Sequence, residues 1–394
     1  MGPSSMDYRQ FRFADVHFSA DVSIFRTQVG AAEYTLVLHP LDYQPVVEQL
    51  RNLEIAYERA LAELGIGRDS AFLRRFFTSD LVNQREALDT SSLIQAKGDD
   101  LCAVSLVRQP PLPDGKVAMI AYHVVADNRE VSGDPTHAIV HSRGRTHVFL
   151  TQLCAPEVES SYDQTAAMFA DLGCQLAEQG LTLEDDVIRT WIYVQNVDAN
   201  YLGMVRARRE HFTRHGLTAD THYIASTGIE GTYDDPRVKV LMDVYAIGGL
   251  QREQIRYIEA LTHLNPTHEY GVTFERGTAI DYGDRRHVFI SGTASIDHHG
   301  QIVHPGDVAS QFERTFENID ALLRNAEAGL ADVTYLLVYV RDPADCALVR
   351  ERLDQRFGGV PRVIVAGAVC RPGWLIEVEC RAIVGANHAE FAPF

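Results

Sequence analysis

The stretch VPRVIVAGAVCRPGWLIEVECRA (360–382) sets two carboxylates, Glu377 and Glu379, into a run that otherwise reads as a buried strand. Strand alternation puts both on one face. A buried carboxyl is costly unless it is paired, hydrogen-bonded or protonated, and a like charge nearby drives one member of a pair toward the protonated form. A carboxylic acid that keeps its proton near neutral pH is a general acid, so Glu377 is the first candidate for catalysis. Arg362, entering the preceding strand, carries a planar fork that matches a carboxylate. Cys370 lies between them with no run of cations beside it to favour a thiolate.

Other chemistry-bearing patterns carry less. His211 and His215 stand four apart in REHFTRHG, but no HExxH arrangement accompanies them, and a polar helix face accounts for both. His298 and His299 in DHHG read as a turn. No phosphate-binding glycine loop, dinucleotide fingerprint or GxSxG elbow occurs. With 54 Asp and Glu against 36 Lys and Arg, the net charge of −18 argues against binding nucleic-acid backbones. It leaves room for a small anionic substrate, because a local arginine pair reverses the field inside a cleft. No apolar run is long enough for a transmembrane helix. The N-terminal MGPSSMDYRQ lacks signal-peptide regions, and its GPSSM reads as a remnant of an expression tag. Six scattered cysteines without a CxxC pair read as reduced thiols of a cytoplasmic protein.

The elements that must position these residues emerge from an internal repeat. GRTHVFLTQLCA (144–155) resembles DRRHVFISGTAS (284–295), and DVIRTWIYVQNVD (186–198) resembles DVTYLLVYVRDPAD (332–345). Between them lie helical patterns: Met168, Phe169, Leu172 and Leu176 in one copy, Phe316, Ile319, Leu322 and Leu323 in the other. A fainter copy at the front has an amphipathic helix at 46–67, a strand at 69–80 and a closing strand VAMIAYHVVAD (117–127). VLMDVYAIGG (240–249) and LIEVECRAIVG (375–385) close the other two. Each unit reads as hairpin, helix, strand, helix, strand: an α+β unit with helices on one face of a mixed sheet. The predicted units span 12–127, 134–249 and 265–386. NREVSGDPTH (128–137) reads as a linker, and 248–270 as a strap across the assembly.

The third unit resembles the YjgF/Rid family of small trimeric proteins with ligand clefts between neighbours. The resemblance rests on Arg362 in VPRVIV, on Glu377-Val378-Glu379 at the family's spacing, and on GDVASQFERTFENIDALL (306–323). A closer likeness is to the chorismatases, built from fused YjgF-like units, through NPTHEYGVTFERG (265–277), HVFISGTASIDHHG (287–300) and VCRPGWLIEVE (369–379). This resemblance implies an intramolecular pseudo-trimer, a monomer, that cleaves chorismate to pyruvate and a cyclic acid without metal or other cofactor. It implies no nucleic-acid or membrane partner.

It further implies that Glu377 protonates the enolpyruvyl methylene and that Arg362 and Arg276 hold the two carboxylates. Tyr270 would contact a ring oxygen. Cys370, seven residues before the glutamate, matches the subgroup that releases 3-hydroxybenzoate; the other subgroup releases a dihydroxycyclohexadiene carboxylate. The alternatives are a Rid-type imine or enamine deaminase and a non-catalytic ligand-binding protein. One observation in the repeat favours an enzyme. Where the third copy has Glu377, the first has an apolar residue and the second has Leu241, so one working cleft is expected from three structural copies.

Overall fold

The computed structural model describes residues 6–394, and of Tyr270 the backbone only. The first unit contains β1 (Asp7–Phe13), β2 (Phe18–Phe25), β3 (Ala32–Pro40), α1 (Val46–Leu64), β4 (Ala71–Thr78), α2 (Leu81–Asp89), β5 (Ala103–Arg108) and β6 (Val117–Val125). The second contains β7 (Glu130–Asp134), β8 (His137–Ser142), β9 (Arg145–Leu153), α3 (Ser161–Glu178), the short α4 (Leu183–Asp186), β10 (Val187–Val194), α5 (Val197–Arg214), β11 (Ala225–Glu230) and β12 (Val240–Gly248). The third contains β13 (Ile255–Tyr257), β14 (Gly277–Asp281), β15 (Arg285–Ala294), α6 (Val308–Asn325), β16 (Val333–Val340), α7 (Cys346–Phe357), β17 (Arg362–Ala366) and β18 (Ile376–Gly385).

Each unit is one six-stranded mixed sheet, and all three share one strand order: β1-β2-β3-β6-β4-β5, β7-β8-β9-β12-β10-β11 and β13-β14-β15-β18-β16-β17. The last pair in each order is parallel and joined through the second long helix, as a crossover requires. The edge strands β7 and β13 fall in the stretches that read as linker and strap. The polar, exposed sequence of β7 and the brevity of β13, three residues, hide the pairing.

The long helices follow from their sequences. Ser160 and Asp307 cap the starts of α3 and α6 by accepting from the backbone N–H groups of Asp163 and Ser310. Gly65, at φ 69°, closes α1 in the left-handed conformation. The predicted apolar stripes of α3 and α6 are buried.

Each sheet also buries its second face, against the other two units. In β18 the residues Ile376, Val378, Cys380 and Ala382 lie on the side that α6 covers, while Glu377, Glu379 and Arg381 face the neighbouring units. The corresponding series are Leu241, Asp243 and Tyr245 on β12, and Ala118, Ile120 and Tyr122 on β6. Where these faces meet, Glu33 of β3 accepts from Arg285 (2.6 Å), Arg381 (2.5 Å) and Tyr122 (2.6 Å). A cavity of about 50 Å³ beside this cluster is lined by all three units. Among the described residues no helix is long and apolar enough to cross a membrane.

Candidate active site

Glu377 is the second residue of β18, paired with Ala294 on β15 and Tyr339 on β16. It closes the inner end of a cleft of about 180 Å³ between the second and third units. The second unit contributes Tyr201, Val205 and Arg208 from α5, with Ser226 and Gly228 from β11. The third contributes Val272, Phe274 and Arg276 from the segment before β14, and Cys370, Arg371 and Trp374 from the loop before β18. Burial, and after it the charge of Glu379, pushes the Glu377 carboxyl up to about 8, with Arg189 and Arg276 pulling partly back. At neutral pH the group therefore carries its proton.

Arg208 is almost fully buried and reaches Ser226 Oγ at 3.5 Å. Arg276 donates to the Asn265 carbonyl at 3.0 Å from the opposite wall. Arg208 and Arg276, with Arg371, thus share the cleft lining with one carboxylic acid and with the apolar side chains of Val205, Val272, Phe274 and Trp374. Low dielectric and opposed charges make such a space suited to a small ligand with two anionic groups and an apolar ring. Cys370 also lines the cleft. Burial, and then the charge of Glu377, pushes its thiol up to about 12, so at neutral pH it is an S–H group and no nucleophilic thiolate.

Tyr270 ends the turn Thr267–Tyr270 beside the cleft residue Gly271, and its side chain lies outside the described residues. Glu379 turns away from the cleft. Its carboxylate accepts from Trp191 Nε1 (2.8 Å), Arg189 (3.0 Å), Thr227 (2.5 Å) and Tyr339 (3.3 Å), with Arg75 of the first unit at 3.7 Å.

Arg362 corrects the sequence reading, since it is absent from this cleft. On β17 it pairs with Leu336, three residues before Tyr339, the partner of Glu377. An odd offset puts it on the other face. Its guanidinium donates to the Phe357 and Val360 carbonyls at 2.8 and 3.2 Å and to Asp354. It lines a second cleft of about 280 Å³ between the third and first units, with Arg350, Asp21 and His39. The register explains the exchange: Ser226 pairs with Thr190 as Arg362 pairs with Leu336, so Ser226 holds the arginine's place beside Glu377.

Glu377, Cys370 and Arg276 are thus brought together as the sequence predicts. Arg208, Arg371, Trp374 and Tyr201 were missed. Arg208 sits in VRARREH, which reads as a solvated helix face, yet the folded chain buries it against Ser226.

Comparison with known proteins gives five findings. The Endoribonuclease L-PSP family matches residues 278–384. Over 99 residues the chain is 32% identical to the 3-aminoacrylate deaminase RutC of Acinetobacter baylyi, covering 25% of this chain and 79% of that protein. A RutC family protein of Pyrococcus abyssi is 34% identical over 96 residues, covering 24% and 76%. A chorismatase of Streptomyces rapamycinicus is 36% identical over 106 residues, 24% of this chain and 31% of that one. At the level of fold, a crystal structure of a chorismatase superposes with a TM-score of 0.62 at 21% identity, covering 80% of this chain and 94% of that chain. The family match falls within the third sheet, whereas the chorismatase fold covers most of the chain.

Proposed function

This chain belongs to the RutC family, and from that premise we propose that it is a chorismatase, cleaving chorismate to pyruvate and a six-membered-ring acid. The observation that carries the reading is a protonated Glu377 facing two arginines, Arg208 and Arg276, across one cleft. Chorismate has two carboxylates and an enol ether. Glu377 gives its proton to the terminal methylene carbon of the enolpyruvyl group. The positive charge that develops on the ether-bearing carbon lies next to the carboxylate just formed, which stabilises it.

Oxygen delivered to that carbon, from water or from the neighbouring ring hydroxyl, leads to loss of pyruvate. If the ring then loses its hydroxyl and aromatises, the product is 3-hydroxybenzoate and the net reaction takes up no water. If the hydroxyl stays, one water is consumed and the product is a dihydroxycyclohexadiene carboxylate. Cys370, a neutral thiol beside the acid in the same cleft, is the residue by which the resemblance selects the product. That supports 3-hydroxybenzoate as the product.

The RutC relative is named as a deaminase, and imine or enamine hydrolysis is the second reading. Its named substrate, 3-aminoacrylate, has a single carboxylate, whereas chorismate brings two to the cleft that holds Arg208 and Arg276. The test is incubation with chorismate, following pyruvate and identifying the ring acid by mass and retention time. Pyruvate with 3-hydroxybenzoate is expected. Pyruvate with the cyclohexadiene acid keeps the reaction and overturns the product, whereas no pyruvate overturns the reading.

A further inference from the structure

We propose that Glu379 and Thr227, the latter from the neighbouring unit, form a positioning pair that fixes the Glu377 carboxyl. What the acid does rests on the chorismate reading, whereas how it is held does not.

The geometry starts at the Thr227 hydroxyl. It donates to Glu379 Oε2 at 2.5 Å and accepts from the Gly292 N–H at 2.9 Å and from Arg189 at 2.5 Å. A hydroxyl has one donor and two acceptor lone pairs, so this one is saturated. Gly292 lies where β15 breaks register against β18, between Ile290 and Thr293. A Cβ built on Gly292 would overlap Oε1 of Glu377 and lie 3.0 Å from Thr227 Cγ2. The missing side chain of Gly292 therefore leaves the space in which Glu377 and Thr227 come together. Ser291, next to it, is tied to the same neighbouring strand: its hydroxyl accepts from the Ser226 N–H at 3.0 Å and from Arg189 at 3.2 Å. The second unit thus holds the backbone beside Glu377 at residues 291–292, and Glu379 anchors Thr227, which holds Gly292. The Glu379 charge lies on the same strand face as Glu377, two residues away, and favours the protonated acid.

The pseudo-symmetry supplies both a control and a rival explanation. Between the first and second units Ser105 donates to Asp243 at 2.5 Å, and the Gln152 N–H donates to the same carboxylate at 2.9 Å. There Leu241 stands in place of the acid. Between the third and first units the corresponding positions are Val363 and Ile120, and no such pair exists. A hydroxyl–carboxylate pair can therefore serve packing alone, and the experiment has to separate packing from an effect on the acid.

The readout is the titration of the Glu377 side chain itself, followed by its carboxyl ¹³C resonance and assigned by its loss in Glu377→Gln. Glu379→Gln removes the neighbouring charge at constant shape and is expected to lower the midpoint by about one pH unit. Thr227→Val takes one donor from Glu379, leaves that charge less compensated and raises the midpoint by a few tenths, with Thr227→Ser restoring it. With chorismate as substrate, Thr227→Val lowers kcat about tenfold at unchanged KM, and Thr227→Ser recovers it. A merely structural pair moves none of these in a folded variant. A midpoint unchanged in Glu379→Gln, or a serine that fails to rescue, overturns the proposal. If the wild-type protein releases no pyruvate, the chorismate reading falls, while the titration still decides the positioning pair.

Discussion

Two clefts in this molecule occupy equivalent places between units and have opposite chemistry. The cleft between the second and third units sets a buried carboxylic acid, Glu377, against Arg208 and Arg276. The cleft between the third and first units has Ala118 in the acid's place, and its arginine, Arg362, is held by Asp354 and two backbone carbonyls. Both are lined by the same elements of the repeat, so architecture alone does not make a site. The difference lies in whether the ionisable groups find partners within the protein. Arg362 has its partners, and its cleft is a structural seam. Glu377 lies close to the Glu379 charge, and Arg189, whose charge also bears on it, is engaged by Glu379, Thr227 and Ser291. A carboxyl so placed holds its proton at the wall of the cleft.

The comparison breaks first at Glu377. Glu377→Gln is expected to fold and to lose about 10²–10⁴-fold in pyruvate release, because the amide has no proton to give at this position. Its stability supplies a second check. The folded protein keeps the Glu377 proton up to about pH 8, whereas the unfolded chain releases it near pH 4.5. Wild-type stability therefore falls as pH rises through that window and levels above it. Glu377→Gln lacks this loss, so it should be the more stable protein above pH 8, with the gap closing toward pH 5. The expected gap is a few kcal/mol, because each pH unit separating the folded and unfolded midpoints is worth about 1.4 kcal/mol. Chemical denaturation at the two pH values measures it.

Arg276→Met is the next largest effect. Loss of a charge-assisted contact to a substrate carboxylate should lower kcat/KM by about 10–100-fold, from about 1.5–3 kcal/mol. Unchanged kcat/KM would remove Arg276 from the site. Arg362→Met is the smallest. It should change kcat/KM by less than about twofold and stability by about 1 kcal/mol, since its charged partner Asp354 is largely exposed. A large loss of turnover there would mean that the two clefts are not functionally distinct.

The sequence exposes Glu377 because an ionisable residue in an apolar strand stands out, and because the two other copies lack it. The repeat, the helices and the identity of the closing strands are legible for the same reason: each rests on a period that recurs three times. What the sequence hides is the second face of each sheet. Glu379 and Arg381 alternate with apolar residues as a solvated face would, and only the assembled units show that the face is buried. Arg362 misleads because register across two strands, which no single strand displays, decides which cleft it enters. Arg208 hides for the converse reason, on a helix whose own sequence reads as polar all round. The missing arginine is legible in the repeat, where THYIAS (221–226) stands opposite VPRVIV, but only the strand pairing shows that Ser226 takes its place.

The Glu33 cluster at the meeting of the three sheets bears on the autonomy of the parts. Residues 278–384 carry the family match, yet two of that unit's guanidinium groups, on Arg285 and Arg381, take a carboxylate from the first unit. Excising the third unit would leave Arg381 without an acid and would deprive Arg285 of one of its two. Removing one partner of a buried ion pair costs about 3–5 kcal/mol, a large share of what holds an ordinary domain folded. The segment most easily recognised in the sequence is thus poorly suited to stand alone. Three copies of one fold behave here as a single cooperative body, joined by charges that no copy can satisfy by itself.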